Sequence, residues 1–245
     1  MRDKHHNQMT IKTRKAVNPF AGHCLWSELQ DDLPEYAQRH LDAARAGEVE
    51  EAIGLCSAAP NEYRGLIALA AYWSGVANPA YREIMRAVWN HDHNQLMGAT
   101  QDDRRLIRRM LRAAEFDHPF SGSVTAFRGT SSINLRTASK GLSWTLSRDV
   151  ACWFAHRFDR EDQQPLVLKA RIDAADIIFW DNTRREQEIV FSQPVPAEPD
   201  PHPHTWIEAA KKLRQQRRRA QTTRLRRIKQ RGLPNAKANA HVAVA

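Results

Sequence analysis

Two glutamates, Glu186 and Glu188, are separated by one residue just before the apolar run Ile189-Val190-Phe191. Residues two apart in a strand point to the same face, so this spacing predicts two neighbouring carboxylates. A carboxylate pair at the start of a buried strand is costly without a partner or a role. The pair is therefore a candidate for acid–base chemistry or for stabilising a cation. The alternative is a solvent-facing pair that Arg184 and Arg185 neutralise.

Two earlier segments carry groups suited to a phosphorylated ligand. Arg128 ends an apolar, strand-like segment and is followed by Gly129. Arginine binds phosphate through paired hydrogen bonds, and glycine lets a ligand approach the backbone. Ser143 and Thr145 flank Trp144, which predicts two hydroxyls on one face of a short strand. Taken singly, each segment also fits an ordinary role, as a strand-end arginine before a turn glycine or as strand polarity.

Together these groups meet the needs of one reaction, cleavage of the nicotinamide–ribose bond of NAD. Cleavage develops positive charge on the ribose, as in glycoside hydrolysis, and a nearby carboxylate stabilises that charge. A cationic group must bind the pyrophosphate, and backbone groups must bind the nicotinamide amide. The ring also needs an apolar or aromatic wall. The residues therefore predict NAD as the substrate, and we expect no metal.

Three segments resemble, in the same order, the motifs of ADP-ribosyltransferases of the arginine–serine–glutamate class: Phe127-Arg128-Gly129, Ser143-Trp144-Thr145 and Glu186-Gln187-Glu188. The string from Gly141 to Ala155 is also similar to a phage and bacterial branch of such proteins. The resemblance covers about residues 124–191, less than a third of the chain. It implies a split β-sheet core and mono-ADP-ribosyl transfer from NAD to an acceptor, expected to be a protein. A protein arginine, a nucleic acid and a small molecule all stay open as acceptors on the sequence alone.

The resemblance also implies a role for each motif residue. Arg128 is expected to bind an NAD phosphate and the adjoining ribose, and the Gly129 backbone to bind the nicotinamide carboxamide. Ser143 is expected to orient Glu188, the catalytic glutamate that contacts the nicotinamide ribose and stabilises its cationic transition state. Glu186 is expected to position or deprotonate the acceptor.

Further residues complete the expected NAD site. Thr145 joins the cofactor-binding set, and Phe154 is expected either to wall the pocket or to lie in the core. Residues 180–185 correspond to the acceptor-recognition loop of the class. The sequence departs from the class at Trp144, where threonine is usual, although the hydroxyl of Ser143 is retained.

Two other functions remain open on the sequence alone. One is an NAD glycohydrolase toxin, in which water is the acceptor and Glu186 matters less than Glu188. The other is a nucleic-acid- or virion-associated protein without enzymatic activity, built on a degenerate ADP-ribosyltransferase fold.

The elements that position these residues follow from apolar periodicity. Short β-type runs are predicted at 124–127, 141–145, 166–172, 177–180 and 189–191, with one helix at about 148–158. The fold class is therefore α+β, with an N-terminal helical module packed on a split-sheet core. The predicted regions are a flexible N-terminus (1–30), the helical module (31–118), the catalytic core (119–193), a proline-rich linker (194–205) and a helical basic tail (206–245).

The net charge of +9 is concentrated in that tail. From Ile207 onward there are twelve Lys or Arg residues and one acid, so the first 206 residues sum to −2. Eleven of these bases lie between Lys211 and Arg231, which favours salt-sensitive contact with nucleic acid or the ribosome. The alternative is a solvated extension. The basic pI is thus no argument about catalysis.

The remaining composition restricts the class of protein. No apolar run approaches the roughly 20 residues that span a bilayer, and the N-terminus lacks a secretory signal, so we expect no membrane contact. Three widely spaced cysteines predict reduced thiols, with Cys152 packing as a small apolar residue. These features favour the cytoplasm, and the resemblance implies that of a bacterial host cell, for a bacterial or phage-encoded protein.

Overall fold

The computed structural model describes residues 21–132, 134–157 and 164–231, which form two compact units divided between Glu115 and Phe116. The first unit is helical, and the second combines helices with one antiparallel sheet. The predicted α+β class is confirmed at this level. No helix in the described ranges is long and apolar enough to cross a bilayer.

The first unit contains seven helices within its described residues: α1 (Ala21–Asp32), α2 (Glu35–Gln38), α3 (Leu41–Ala46), α4 (Val49–Ala58), α5 (Asn61–Ser74), α6 (Asn78–Ala99) and α7 (Arg104–Ala113). Local signals set their ends. Pro79 lies in the first turn of α6, where its missing amide hydrogen costs nothing. Asp103 caps α7 by accepting from the amides of Arg105 and Leu106.

Helix α1 occupies the end of the segment 1–30 that the sequence predicts to be flexible. It begins at Ala21, and Trp26, Leu29 and Leu33 lie buried along one side at helical spacing. The Trp26 indole also donates a hydrogen bond to Ser74 at the end of α5, at 2.8 Å. Tertiary burial therefore stabilises a segment with little helical signal of its own. Residues 1–20 of the predicted segment lie outside the described residues.

The second unit is built on a six-stranded sheet of order β4-β5-β2-β1-β3-β6. Its strands are β1 (Ser123–Ser132), β2 (Ser143–Thr145), β3 (Gln164–Asp173), β4 (Ile177–Asp181), β5 (Glu188–Phe191) and β6 (Glu198–Pro199). Helices α8 (Leu135–Ser139) and α9 (Arg148–Ala155) lie between these strands in the chain, and α10 (Trp206–Arg231) follows them.

The sheet is narrow at its middle. β1 and β3 pair along ten residues, whereas β1 and β2 are joined through the single pair Phe127–Thr145. The sheet therefore consists of two three-stranded halves, β4-β5-β2 and β1-β3-β6, that meet at this pair. The candidate motif residues lie on β1, on β2, at the start of β5 and in the loop before it, next to the junction.

Helix α9 packs unusually close to β1. A Cβ atom on Gly129 would lie 1.6 Å from the carbonyl oxygen of Ala151. The packed side chains around this contact include Ala151, Cys152 and Ala155. Gly129 is thus required for the approach of helix to strand, a structural reason that the sequence did not reveal.

The predicted linker, residues 194–205, is packed against the sheet. Glu198 and Pro199 form β6 at the sheet edge, the position where proline is tolerated in a strand. The Asp200 amide donates to the Val167 carbonyl at 2.8 Å. The basic tail is helical through α10, and residues 232–245 lie outside the described residues.

Candidate functional site

Glu188 is the first residue of β5, and its cross-strand partners are Thr145 on β2 and Asp181 on β4. Paired residues point to the same face, so Phe127, Thr145, Glu188 and Asp181 form one row across four strands. Two strand spacings, about 10 Å, separate the backbones of Phe127 and Glu188.

Glu186 lies in the loop before β5, so its predicted position in a strand is wrong. Arg185 and Gln187 have φ values of 57° and 48°, which break the extended alternation. The loop is held by β2: the Thr145 hydroxyl donates to the Glu186 carbonyl at 2.5 Å, and the Leu146 amide donates to the Gln187 carbonyl at 3.1 Å.

The two carboxylates nevertheless converge. Arg184 Nη2 lies 2.8 Å from Glu188 Oε2 and 3.2 Å from Glu186 Oε2. Glu186 and Glu188 are only 8% and 7% exposed, whereas Arg185 is exposed. The alternative of a solvent-facing pair is therefore wrong, because both carboxylates are buried and Arg185 is exposed. Its other element is correct, since Arg184 neutralises both carboxylates.

A second guanidinium reaches Glu186 from α10. Arg217 Nη1 and Nη2 lie 3.4 and 3.5 Å from Glu186 Oε1, and Arg217 Cζ lies 4.3 Å from the ring centroid of Trp153 on α9. Sequence reasoning missed Arg217 and Trp153. Arg217 is one of many bases in the tail and lies 31 residues from Glu186, so no local signal marks it.

The start of α10 is fixed by a separate ion pair on Asp200. Arg148 Nη2 donates to Asp200 Oδ2 at 2.6 Å, and the Trp206 indole donates to the same oxygen at 2.7 Å. Burial would raise the pKa of Asp200, but the hydrogen bonds from Arg148 and Trp206 outweigh it and lower that pKa. This contact ties α10 to α9, whose first residue is Arg148.

Arg128 lies where the two halves of the sheet separate. Its Nε donates to the Ala138 carbonyl at 3.0 Å, and its Nη1 donates to the Ser143 carbonyl. A Cβ atom on Gly141 would lie 1.9 Å from Arg128 Cζ, so the guanidinium covers that glycine. These contacts give Arg128 a role in holding the segment that leads into β2.

The Ser-Trp-Thr segment forms β2. Ser143 pairs with Val190 and Thr145 with Glu188, so both hydroxyl residues share the face of Glu188. Trp144 lies on the other face, where it is buried with its ring 5.9 Å from that of Phe191. The bulky departure from the class motif is thus accommodated in the core.

The contacts of the hydroxyl groups differ from those that the resemblance implies. The resemblance assigns the orientation of Glu188 to Ser143, whereas in the structure Arg184 holds that carboxylate. The Thr145 hydroxyl accepts from the Ser147 amide at 3.0 Å, in addition to donating to the loop before β5.

Two aromatic side chains of α9, Trp153 and Phe154, lie beside each other, and Trp153 stacks on Arg217. Trp153 and Phe154 are half-buried, with their ring centroids 4.8 Å apart. Arg157 Cζ lies 5.0 Å from the Trp153 centroid and 5.9 Å from that of Phe154. Both rings are thus partly exposed, and the wall or core position of Phe154 stays a prediction.

Cys152 is not indicated as a nucleophile. Burial raises the pKa of Cys152 to about 11, so its thiol stays protonated at neutral pH. The described residues contain no group of three or more His, Cys, Asp or Glu side chains placed to hold a metal ion.

No family model, curated protein or solved structure matches the chain.

Proposed function

We propose that the chain is an NAD-dependent mono-ADP-ribosyltransferase, with a protein arginine as the acceptor. The observation that carries the proposal is the convergence of two buried carboxylates, Glu186 and Glu188, on a single guanidinium nitrogen. They do so beside the strand that bears Ser143 and Thr145. Two buried acids within about 3 Å of one cation can stabilise a developing positive charge once that cation is withdrawn.

In the proposed reaction, the bond between the ribose C1′ and the nicotinamide nitrogen breaks, and its electron pair neutralises the pyridinium. Glu188 stabilises the resulting positive charge on the ribose. A guanidinium nitrogen of the acceptor bonds to C1′ and gives up a proton to Glu186. NAD enters only after Arg184 has left Glu188, because both groups cannot occupy that carboxylate.

The remaining motif residues are proposed to bind NAD. Arg128 lies one strand away from Ser143, with its side chain on the other face of the sheet, and is the cation assigned to the NAD phosphate. The role of Gly129 rests on its backbone, because Ala151 covers its α carbon. Trp153 and Phe154 supply the aromatic wall. The two three-stranded halves of the sheet, which meet at one residue pair, support an ADP-ribosyltransferase-like core.

The test is NAD turnover by the full chain in the presence of an arginine-containing protein acceptor. The NAD carries a label in its ADP-ribose part, and the transfer of this label to the acceptor protein is measured. We expect Glu188→Gln to reduce label transfer by about 10²–10³-fold, the usual cost of removing one electrostatic group from a transition state. Glu198→Gln is the matched control, since Glu198 is an exposed glutamate of the same sheet. Full transfer by Glu188→Gln would rule out the assignment.

The same assay distinguishes the glycohydrolase. Nicotinamide release without labelled acceptor, unaffected by Glu186→Gln, would favour water as the acceptor. Transfer is preferred because Glu186 already binds a guanidinium group in the structure.

We also propose that the outer half of α10 contacts phosphate groups of nucleic acid. All side chains at 218–228 are exposed, and the five charged ones among them are arginines. Such a surface binds through counterion release, so binding should weaken steeply with salt and show little sequence preference.

A further inference from the structure

The guanidinium of Arg217 occupies a position formed by two other elements. Glu186, in the loop before β5, lies 3.4 Å away on one side, and the indole of Trp153 on α9 lies 4.3 Å from Arg217 Cζ. A carboxylate and an aromatic ring provide the two interactions that a planar guanidinium makes best, a hydrogen-bonded ion pair and cation–π stacking. This combination defines a site for one chemical group.

The contact is remote from the part of α10 that anchors the helix. The anchor consists of Trp206 and Ala210, both buried against α9, together with the Asp200 ion pair. Arg217 lies two turns further along. Its neighbours at 214–216 and all described side chains at 218–228 are exposed. A change of the Arg217 rotamer would therefore vacate the position without disturbing the anchor.

We propose that Trp153 and Glu186 form a binding subsite for a guanidinium group, and that Arg217 fills it as an intramolecular substitute for an arginine of another protein. An external guanidinium must then compete with Arg217. Its apparent affinity is its intrinsic affinity multiplied by the fraction of molecules in which Arg217 has left the subsite. Guanidinium binding itself does not depend on NAD cleavage. Only the identification of the bound arginine as the acceptor rests on the proposed function.

The test is a titration of the full-length protein with ethylguanidinium, without NAD, followed by NMR of the tryptophan indole N–H signals. The Trp153 signal is identified by its loss in Trp153→Phe. We expect Arg217→Ala to bind about tenfold more tightly than the wild type, which corresponds to about 1.4 kcal/mol of intramolecular competition. Arg218→Ala is the matched control, and it should bind like the wild type because Arg218 is exposed.

Three results would overturn the subsite: equal affinity in the wild type and Arg217→Ala, no binding by either, or an equal gain in Arg218→Ala. In the Arg217→Ala background, Glu186→Gln should weaken ethylguanidinium binding at least fivefold. Butylammonium should bind much more weakly than ethylguanidinium, because an ammonium group lacks the planar face that stacks on an indole. Equal binding of the two cations would contradict a guanidinium site and leave only charge attraction.

A parallel measurement of nicotinamide release separates the two proposals. Guanidinium binding without NAD cleavage under any acceptor condition would contradict the proposed function and leave the subsite intact. NAD cleavage without the affinity gain of Arg217→Ala would contradict the subsite alone.

Discussion

The second unit contains two clusters of arginine and carboxylate groups that differ in how they are held. In the Asp200 cluster, one carboxylate receives Arg148 and the Trp206 indole at 2.6–3.2 Å, and its side chain is 3% exposed. In the glutamate pair, Glu186 and Glu188 share Arg184 at 3.2 and 2.8 Å, and Glu186 alone also contacts Arg217 at 3.4–3.5 Å.

The donors explain the difference. Arg148 and Trp206 are the first residues of α9 and α10, so the Asp200 cluster joins two helices to the strand edge. Arg184 extends from an exposed loop, and 38% of its side chain is accessible to solvent. Arg217 extends from α10 two turns beyond Ala210, the last residue of the anchor. The first cluster joins structural elements, and the second is the pair of acids whose cations a substrate replaces in the proposed function.

The largest effect on stability is expected at the Asp200 cluster. Asp200→Asn should lower the free energy of unfolding by about 2–3 kcal/mol, because Arg148 loses its ionised partner and a buried hydrogen-bond network is broken. Urea denaturation would measure the loss, and proteolysis within residues 211–231 should become faster. Glu208→Gln, an exposed change on α10, should be neutral within about 0.5 kcal/mol. An equal loss of unfolding free energy in both variants would show that Asp200 does not hold α9 and α10 together.

The free energy of unfolding that the Asp200 cluster contributes should also depend on pH. This change is expected to be at most as large as the loss in Asp200→Asn. The pKa of Asp200 in the folded protein lies below its ordinary value of 3.8. On acidification, Asp200 is therefore protonated at a higher pH in the unfolded chain than in the folded protein. The stabilisation is complete at neutral pH and is lost as the pH falls below 3.8 through the folded pKa. The stability difference between wild type and Asp200→Asn should therefore shrink on going from pH 7 to about pH 3. A constant difference would contradict an ionised Asp200 cluster.

The smallest effect on stability is expected at the glutamate pair. Glu188→Gln should change the free energy of unfolding by less than about 1 kcal/mol, because it removes a like-charge neighbour of Glu186 together with a partly exposed ion pair. Thermal and urea unfolding would measure this. A loss above about 2 kcal/mol would mean that the pair is structural, and it would remove the contrast between the two clusters.

Much of the fold was predictable because burial leaves a periodic pattern. The apolar runs at 166–172, 177–180 and 189–191 lie within β3, β4 and β5, and the prolines near 199 correctly excluded a central strand. The length of β1 was not predictable, since polar residues such as Thr130 are paired there only through long-range contact with β3. Helix α1 escaped prediction for a similar reason, as its burial depends on α5.

The candidate site divides in the same way. Residue types and order alone determined that Arg128, Ser143, Glu186 and Glu188 are the groups to consider, because chemistry depends first on which groups are present. Tertiary structure alone decided that Glu186 leaves the strand, that Gly129 serves helix packing, and that Arg217 lies on Glu186 and Trp153. These outcomes depend on distances between residues far apart in the chain, and a local pattern carries no information about such distances.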